Sequence, residues 1–419
     1  MTTTPGPPAS AVQAGVEAVL AAVSERRMAA TVATLAGDGF AGRRVGTPGN
    51  AAARSWLAER LAAVGVEPSV EEFAVWSVPE LYAAPRVRWH DGRTERHLAF
   101  GRQVGVPLAS AELPDPRRGG LGVVGVGDPA GRWLVVPAGM SLPAAYDLAA
   151  GAAGLLVRRP VDGDGWLYTM LAGPDPGPLP VLALAPAAHG AADETAAAGG
   201  GWLVASTPIR RQSVTGANLH ARLRPPSEGG MEVLLTAHYD GVGDLPGLRQ
   251  PGASDNGSGV AVVLEAARVL APSLPAGMGL SVAFLDGEEV GAVGSAHHAT
   301  RLQASGALPL VVNVDGAANL DGAAAVEAGG PAHGLLAVLD QAGRHTGLPL
   351  AAGPVASDNR RYAATGLPAV GIGAGMAGYH SPADTPDRVD PATLHAVARL
   401  VVATVWFIAG SDAKLSSLI

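Results

Sequence analysis

Residues 231–240 read MEVLLTAHYD, residues 258–271 SGVAVVLEAARVLA, and residues 280–289 LSVAFLDGEE. The outer two are apolar runs of strand length that end in charged groups. The middle one repeats its apolar residues at helical spacing. Strand, helix and strand in that order make a βαβ unit, and the alternation continues downstream. VGSAHHATRLQAS (293–305) reads as a helix and LPLVVNVDG (308–316) as a strand. HGLLAVLDQAGRHTG (333–347) is a further helix, LPAVGIG (367–373) a strand, and PATLHAVARLVVATVWFIAG (391–410) a closing helix. Such alternation predicts an α/β fold: a mostly parallel central sheet flanked by helices on both faces.

Upstream, residues 10–35 carry helical periodicity behind a polar start, and residues 1–9 read as disordered. In GRRVGTPGNAAARSWLAERLAAVGVEP (42–68), Pro48, Gly49 and Asn50 are turn and cap residues. Trp56, Leu57, Leu61 and Val64 share a helical face, and Gly65 suits the stop. A strand is expected near 68–76. From 84 to 210 the texture changes to short apolar runs, LGVVGVG, GRWLVVPAG, AAGAAGLLVRR and LPVLALA, punctuated by proline and glycine. These predict short strands around one Ala-rich helix at 143–151. The organisation expected is therefore residues 1–83 as the first part of the main domain, 84–210 as an inserted β-rich domain, 211–412 as the rest of the main domain, and 413–419 as a tail.

Composition excludes several function classes. The 419 residues are 48% hydrophobic and carry 29 Lys+Arg against 37 Asp+Glu, a net charge of -8. That is enough apolar material for a full core, and it argues against a nucleic-acid partner, which calls for a basic face. There is no cysteine, so disulfides, thiolate metal sites and cysteine nucleophiles are excluded. No run of about eighteen apolar residues is evident, so no membrane span is expected. The N-terminus lacks a basic segment before an apolar core, and Glu17 interrupts the apolar stretch. A cytoplasmic location follows, or a secreted one if a leader was removed.

In an open α/β sheet, ligands bind beyond the carboxyl ends of the strands. Five segments bring ionisable groups there: His238 and Asp240, Asp255, Glu288 and Glu289, Asp315, and Tyr379 with His380. Each alone has a structural explanation. A histidine ends many strands, Asp255 beside Asn256 is a natural helix cap, and paired glutamates complement a helix N-terminus. Together, though, the carboxylates would repel one another in a cleft unless divalent cations neutralised them. Imidazole nitrogens and carboxylate oxygens without sulfur suit zinc. A shared carboxylate can bridge two ions about 3.5–4 Å apart, as two-metal hydrolases require. The residual positive charge favours a bound hydroxide, and a carboxylate kept off the metals can take its proton.

HYD (238–240), ASDNGSGVA (253–261), FLDGEEVGAVGS (284–295), NVDG (313–316) and YHSPADTPDRV (379–389) resemble, in that order, the motifs of the co-catalytic di-zinc aminopeptidase family. That family includes secreted bacterial aminopeptidases, glutamate carboxypeptidase, glutaminyl cyclases and the transferrin receptor ectodomain. The resemblance covers about 213–410. GRRVGTPGN also looks like the family's N-terminal part, and 84–210 looks like the protease-associated domain often inserted there. The resemblance implies a zinc-exopeptidase fold of the phosphorylase/hydrolase type and two Zn2+ per chain. His238 and Asp315 would hold one ion, Glu289 and His380 the other, and Asp255 would bridge them. Glu288 would be the general base, Asp240 would orient His238, and Tyr379 would stabilise an oxyanion. A cis bond between Asp255 and Asn256 is expected as well. No organic cofactor is implied.

The expected activity is exopeptidase hydrolysis of the N-terminal peptide bond, through a hydroxide bridging the two zinc ions. The expected partner is a peptide or amide substrate, with no nucleic acid and no membrane, and a homodimer is compatible with the chain. Three alternatives stand beside it: a cytoplasmic zinc amidase acting on a biosynthetic conjugate or peptide-linked intermediate, a glutaminyl-cyclase-like transferase, and a receptor or scaffold without activity. Retention of His238 argues against the transferase, and the intact ligand positions argue against the scaffold. VASDNRRYAATGLPAV (355–370) departs from the family pattern at Asn359, so Asp358 is read as structural or pocket-lining. Arg360 and Arg361 are read as surface-paired. His297 and His298 point apart on one helix and cannot share an ion, so packing is their expected role.

Overall fold

A computed structural model describes residues 9–410. Its main sheet is eight-stranded. Four central strands, Gly279–Leu285, Glu232–His238, Leu310–Val314 and Ala369–Gly373, lie side by side and parallel. The chain moves from the His238 strand to one neighbour, then returns to the other side. This reversal opens a crevice at the carboxyl ends of the strands. Antiparallel pairing is confined to the flanks. Ser69–Leu81 and Ile209–Arg224 pair on one side, and Ala324–Gly329 joins Ala369–Gly373 on the other, with Leu350–Ala352 at the edge.

The central strands are apolar on both faces because both are covered. Val233, Leu235 and Ala237 pack into one buried cluster with Leu57, Val262 and Val401. Leu234, between them, packs into another with Leu285, Val311 and Tyr362. Burial of each such leucine stabilises the fold by roughly 1.5–3 kcal/mol. Helices Glu25–Leu35, Gly259–Leu270 and Pro391–Gly410 cover the first face, and Val293–Ser305 with Asn359–Ala364 the second.

Several elements differ from the expectation. The N-terminal helical stretch is two helices, Ala9–Ala21 and Glu25–Leu35, because Ser24 takes an extended conformation and accepts a hydrogen bond from Arg27 N. The expected disorder of residues 1–9 falls on residues 1–8, outside the described residues, and on Ala9, the first helical residue; the 413–419 tail also lies outside them. The cap of the next helix is Thr47, which accepts from Asn50 N, so Pro48, Gly49 and Asn50 are its first turn. The two strands at the Leu350 edge and the short helix Asn359–Ala364 were not anticipated, since their runs are brief and lack clear periodicity. The closing helix Pro391–Gly410 is long and apolar enough to cross a membrane, contrary to the reading of the sequence. Its Leu394, Val397, Val401, Val405 and Ile408 are buried against the sheet's other helices, which is what a core helix does.

Residues 87–207 form a second eight-stranded sheet. It contains two helices where one was expected: Leu142–Leu148 and the Ala-rich Pro186–Ala197. Its core gathers Trp89, Trp133, Leu156, Leu182 and Leu203.

Candidate metal centre

Each predicted ligand stands where the fold delivers it. His238 is the last residue of its strand; Glu288 and Glu289 follow Leu285, and Asp315 follows Val314. His380 comes from the loop after Gly373 and has a positive φ of 51°. Asp255 sits in a tight turn, Ala253–Ser258, ahead of the helix that begins at Gly259. Two glycines make that turn possible. Gly252 has φ 62°, and a Cβ there would lie 2.7 Å from the Asp255 carbonyl oxygen; one at Gly259 would lie 2.2 Å from Asn256 Oδ1. Only residues without a side chain permit so close an approach. The Asp255–Asn256 bond is cis, as expected.

The structure brings all five together. His238 Nε2 lies 3.3 Å from Asp255 Oδ1 and 3.3 Å from Asp315 Oδ1. His380 Nε2 lies 3.1 Å from Asp255 Oδ2 and 3.0 Å from Glu289 Oε2. Asp255 thus faces one imidazole with each oxygen. All five side chains are buried. Asp240 Oδ1 is 3.5 Å from His238 Nδ1. Its carboxylate also accepts from Glu288 N at 3.1 Å and Glu289 N at 3.2 Å, so it supports the turn that presents both glutamates. Tyr379 stacks on the His380 ring, centroids 3.7 Å apart, and keeps 38% of its surface exposed.

The electrostatics follow from burying so many acids at one sheet edge. Burial lowers the affinity of His238 for a proton, but Asp315, Glu288 and Asp240 outweigh it and raise its pKa well above the usual value. His380 behaves likewise, burial being outweighed by Glu289 and Asp255. Burial opposes ionisation of Asp255, yet the two imidazoles hold its pKa below the ordinary range. Glu289 is pushed up to about 7 by burial, against the attraction of His380. Glu288 is pushed well above the usual range by burial and by the neighbouring Asp315 and Asp358, against the attraction of His238. Burial raises Tyr379 too, and the surrounding acids add to it. This is a site built for more positive charge than the protein supplies.

The donor chemistry fits divalent ions. Two sets meet at Asp255: His238, Asp255 and Asp315, and Asp255, Glu289 and His380, with donor atoms within 4.8 Å of one another in each set. Nitrogen and oxygen donors of this mix suit zinc.

Three supporting residues escaped the sequence reading. Arg43 is fully buried and donates to the carbonyls of Leu35, Tyr239, Pro251 and Gly252, at 2.6, 2.8, 3.0 and 2.8 Å. It fixes both the end of the His238 strand and the approach to Asp255. Burial lowers its pKa, and Asp384, Asp240 and Asp255 oppose that. Asp384 accepts from Ser254 N at 2.6 Å and Asp255 N at 3.1 Å, which orients the bridging carboxylate. Asp286 accepts from Ala217 N, Asn50 Nδ2, Gly287 N and Tyr239 Oη, tying the glutamate turn to the N-terminal segment. Their only signal was position: Asp384 and Asp286 lie inside two quoted motifs, and Arg43 inside GRRVGTPGN. Ser258 is the cap residue of the helix after Asp255 and its side chain makes no capping bond; instead Asn256 Oδ1 accepts from Gly259 N at 2.9 Å. Arg360 pairs with Glu327 at 2.8 Å and Arg361 donates to Gly291 O at 2.5 Å. His297 stacks on Phe73.

The second sheet reaches over this edge. Thr169 N donates to the His380 carbonyl at 2.9 Å, and Gln250 Nε2 donates to Thr169 Oγ1 at 3.0 Å. A cleft of about 440 Å³ opens between Met170 and the acids Glu288 and Glu289. A second cavity, of about 690 Å³ and mostly apolar, adjoins it across Tyr379 and Met170, and is walled by Leu108, Leu171, Val242 and Leu248.

Comparison with known proteins agrees with the geometry. Residues 218–405 match the model of Peptidase family M28. The aminopeptidase YwaD of Bacillus subtilis is 44% identical over 70 residues, which are 17% of this chain and 14% of that protein. BSAP, a zinc aminopeptidase from Bacillus subtilis, has a similar fold: TM-score 0.70 at 19% identity, over 92% of this chain and 95% of that one. A peptidase M28 precursor from Shewanella amazonensis gives TM-score 0.71 at 18% identity, over 98% and 99%.

Proposed function

We propose, from the match of residues 218–405 to peptidase family M28, that the chain is a zinc aminopeptidase, removing the N-terminal residue of peptides. The observation that carries the proposal is Asp255, whose two oxygens face His238 and His380 at 3.3 and 3.1 Å. His238, Asp255 and Asp315 would hold one ion, and Asp255, Glu289 and His380 a second. Bound there, zinc polarises a carbonyl and lowers the pKa of water.

The chain's own residues do the rest. Glu288 lines the cleft beside the ligands and is not among them. Its carboxylate takes a proton from the attacking water and returns it to the departing amine. Asp240 keeps Glu288 in place through its backbone N–H. The Tyr379 phenol, held protonated by its raised pKa, donates to the oxygen that gains negative charge. The loop carrying Met170 and Thr169 narrows access from water. The apolar cavity beside Tyr379 takes an apolar part of the substrate. The segment that forms the second sheet serves as the protease-associated-like insertion.

The test is a panel of aminoacyl amides and their N-acetylated counterparts, given to zinc-loaded protein. Cleavage of the free-amine set, lost with a chelator and restored by zinc, is the expected result. Cleavage of the blocked set alone would replace aminopeptidase by amidase. No cleavage of either by zinc-replete protein would end the hydrolase reading.

A further inference from the structure

A second cluster of metal-ligating side chains lies away from the crevice. Glu71 is on the strand Ser69–Leu81 and His220 on its partner Ile209–Arg224. Their register pairs Ser69 with His220 and Glu71 with Asn218, so Glu71 and His220 are diagonal neighbours on one face. Helix Val293–Ser305 crosses that face and brings His298 against them. The His220 and His298 rings are 5.1 Å apart between centroids, and His298 Nε2 lies 4.0 Å from Glu71 Oε1. One donor atom from each of the three lies within 4.8 Å of the other two.

Two of these donors are buried without a partner. His298 is 1% exposed and Glu71 8%, and neither His298 Nε2 nor Glu71 Oε2 makes a hydrogen bond. Leaving such groups unmade is costly unless something else satisfies them. The other nitrogen of His298 is engaged: Nδ1 is 2.8 Å from Tyr362 Oη. A second-nitrogen hydrogen bond is how ligating imidazoles are oriented. Two cations act on this face: Arg222, which is paired with Glu232, and Arg301, 61% exposed and 3.5 Å from Glu71 Oε1, which leaves Oε2 without a hydrogen bond.

We propose that Glu71, His220 and His298 form a further metal site, which takes one zinc-like divalent ion and clamps the two flanking strands to the helix after the Glu288–Glu289 turn. Two imidazoles and one carboxylate select a borderline transition ion over calcium or magnesium, which require oxygen ligands. The partly exposed side of His220 leaves a fourth position to water. His298 is the sixth of the thirteen residues of that helix, and none of the three residues belongs to the crevice, so the clamp acts on stability and not on the chemistry. Burial keeps His298 largely unprotonated, with a pKa lowered to about 3, and it is ready to ligate at neutral pH.

The experiment is zinc content after equilibrium dialysis against buffered zinc, for the native full-length protein and for His220→Ala and Glu71→Gln. Each variant is expected to hold one zinc equivalent per chain fewer than the native protein, and to lose the zinc-dependent part of its thermal stabilisation that comes from this site. Cleavage of the best amide substrate stays within twofold of native. Because the readout is a difference, it holds whatever the main centre binds. Zinc content equal to native in both folded variants overturns the proposal. His220 is partly exposed, so its alanine variant keeps its fold even if the Glu71 variant does not.

Discussion

The two sheets handle polar groups in opposite ways. In the second sheet, charges sit at the surface and are matched: Arg88 with Glu95, Arg96 with Asp91, Arg118 over the Trp202 ring at 4.3 Å. At the crevice of the main sheet, Asp255, Glu289, Asp315 and Asp358 are buried together, and the charge of the buried Arg43 acts on Asp255 and Glu289. A fold ordinarily avoids such an arrangement, because buried charge is destabilising unless paired. Its persistence at one sheet edge, beside a matched second sheet, marks where the chain gives up stability for chemistry.

The comparison can be broken most decisively at Glu288. Glu288→Gln is expected to lower kcat by about 10²–10⁴-fold while zinc content stays at the native level; retained kcat with normal zinc would remove the base. Next is Arg43→Met, which takes a donor from four carbonyls, of which Gly252 O keeps the Gly257 N–H, and leaves the acids without that cation. A loss of about 3–5 kcal/mol in urea denaturation is expected, with zinc affinity falling alongside; a change under about 1 kcal/mol would mean that the crevice does not depend on it.

Glu265 offers a smaller test at a matched pair within the main unit. It accepts from Arg27, Arg268 and Ser24 N, joining helix Glu25–Leu35 to Gly259–Leu270. Burial opposes its ionisation, but the arginines prevail and its pKa is lowered from 4.5. A carboxyl whose folded pKa is depressed stabilises the fold above its unfolded pKa. That contribution is lost as pH falls below about 4.5 and through the folded value. Glu265→Gln is expected to cost about 1–3 kcal/mol at neutral pH, with the gap to native closing on acidification. A gap that is unchanged by pH would show that packing, not charge, joins the helices. Least of all, Arg118→Ala in the second sheet is expected to cost less than about 1 kcal/mol. A larger loss there would blur the contrast.

Much of the centre was legible because His238, Asp315 and the two glutamates stand at or just beyond strand ends. An apolar run ending in a charged residue is visible in one dimension, and the parallel sheet aligns those ends in space. The supporting residues were not legible for the same reason in reverse. Arg43 lies in a stretch without periodicity, and its partners are backbone carbonyls that any residue could supply. Asp384 works through the N–H groups of Ser254 and Asp255, more than a hundred positions away in the chain. His298 was read with its neighbour His297, whereas its companions are Glu71 and His220, on strands set apart by the whole second sheet. The closing helix was legible as a helix over 391–410, although apolar composition reports burial without naming the solvent it avoids.

The two strands that flank the second sheet carry one more consequence. Leu81 and Ile209 are register partners, the last pair of an antiparallel ladder that begins at Ser69 and His220. Residues 82–208 are therefore, in topological terms, the loop of a single β-hairpin. Lengthening a closed loop costs only about 0.6 kcal/mol per doubling, so an entire folded unit can be accommodated at the tip of that hairpin without altering the register below it. The same two strands are its sole covalent mooring. A short turn joining Leu81 to Ile209 would leave the ladder intact and uncover the crevice, which makes this hairpin a natural port for exchanging what lies above the crevice.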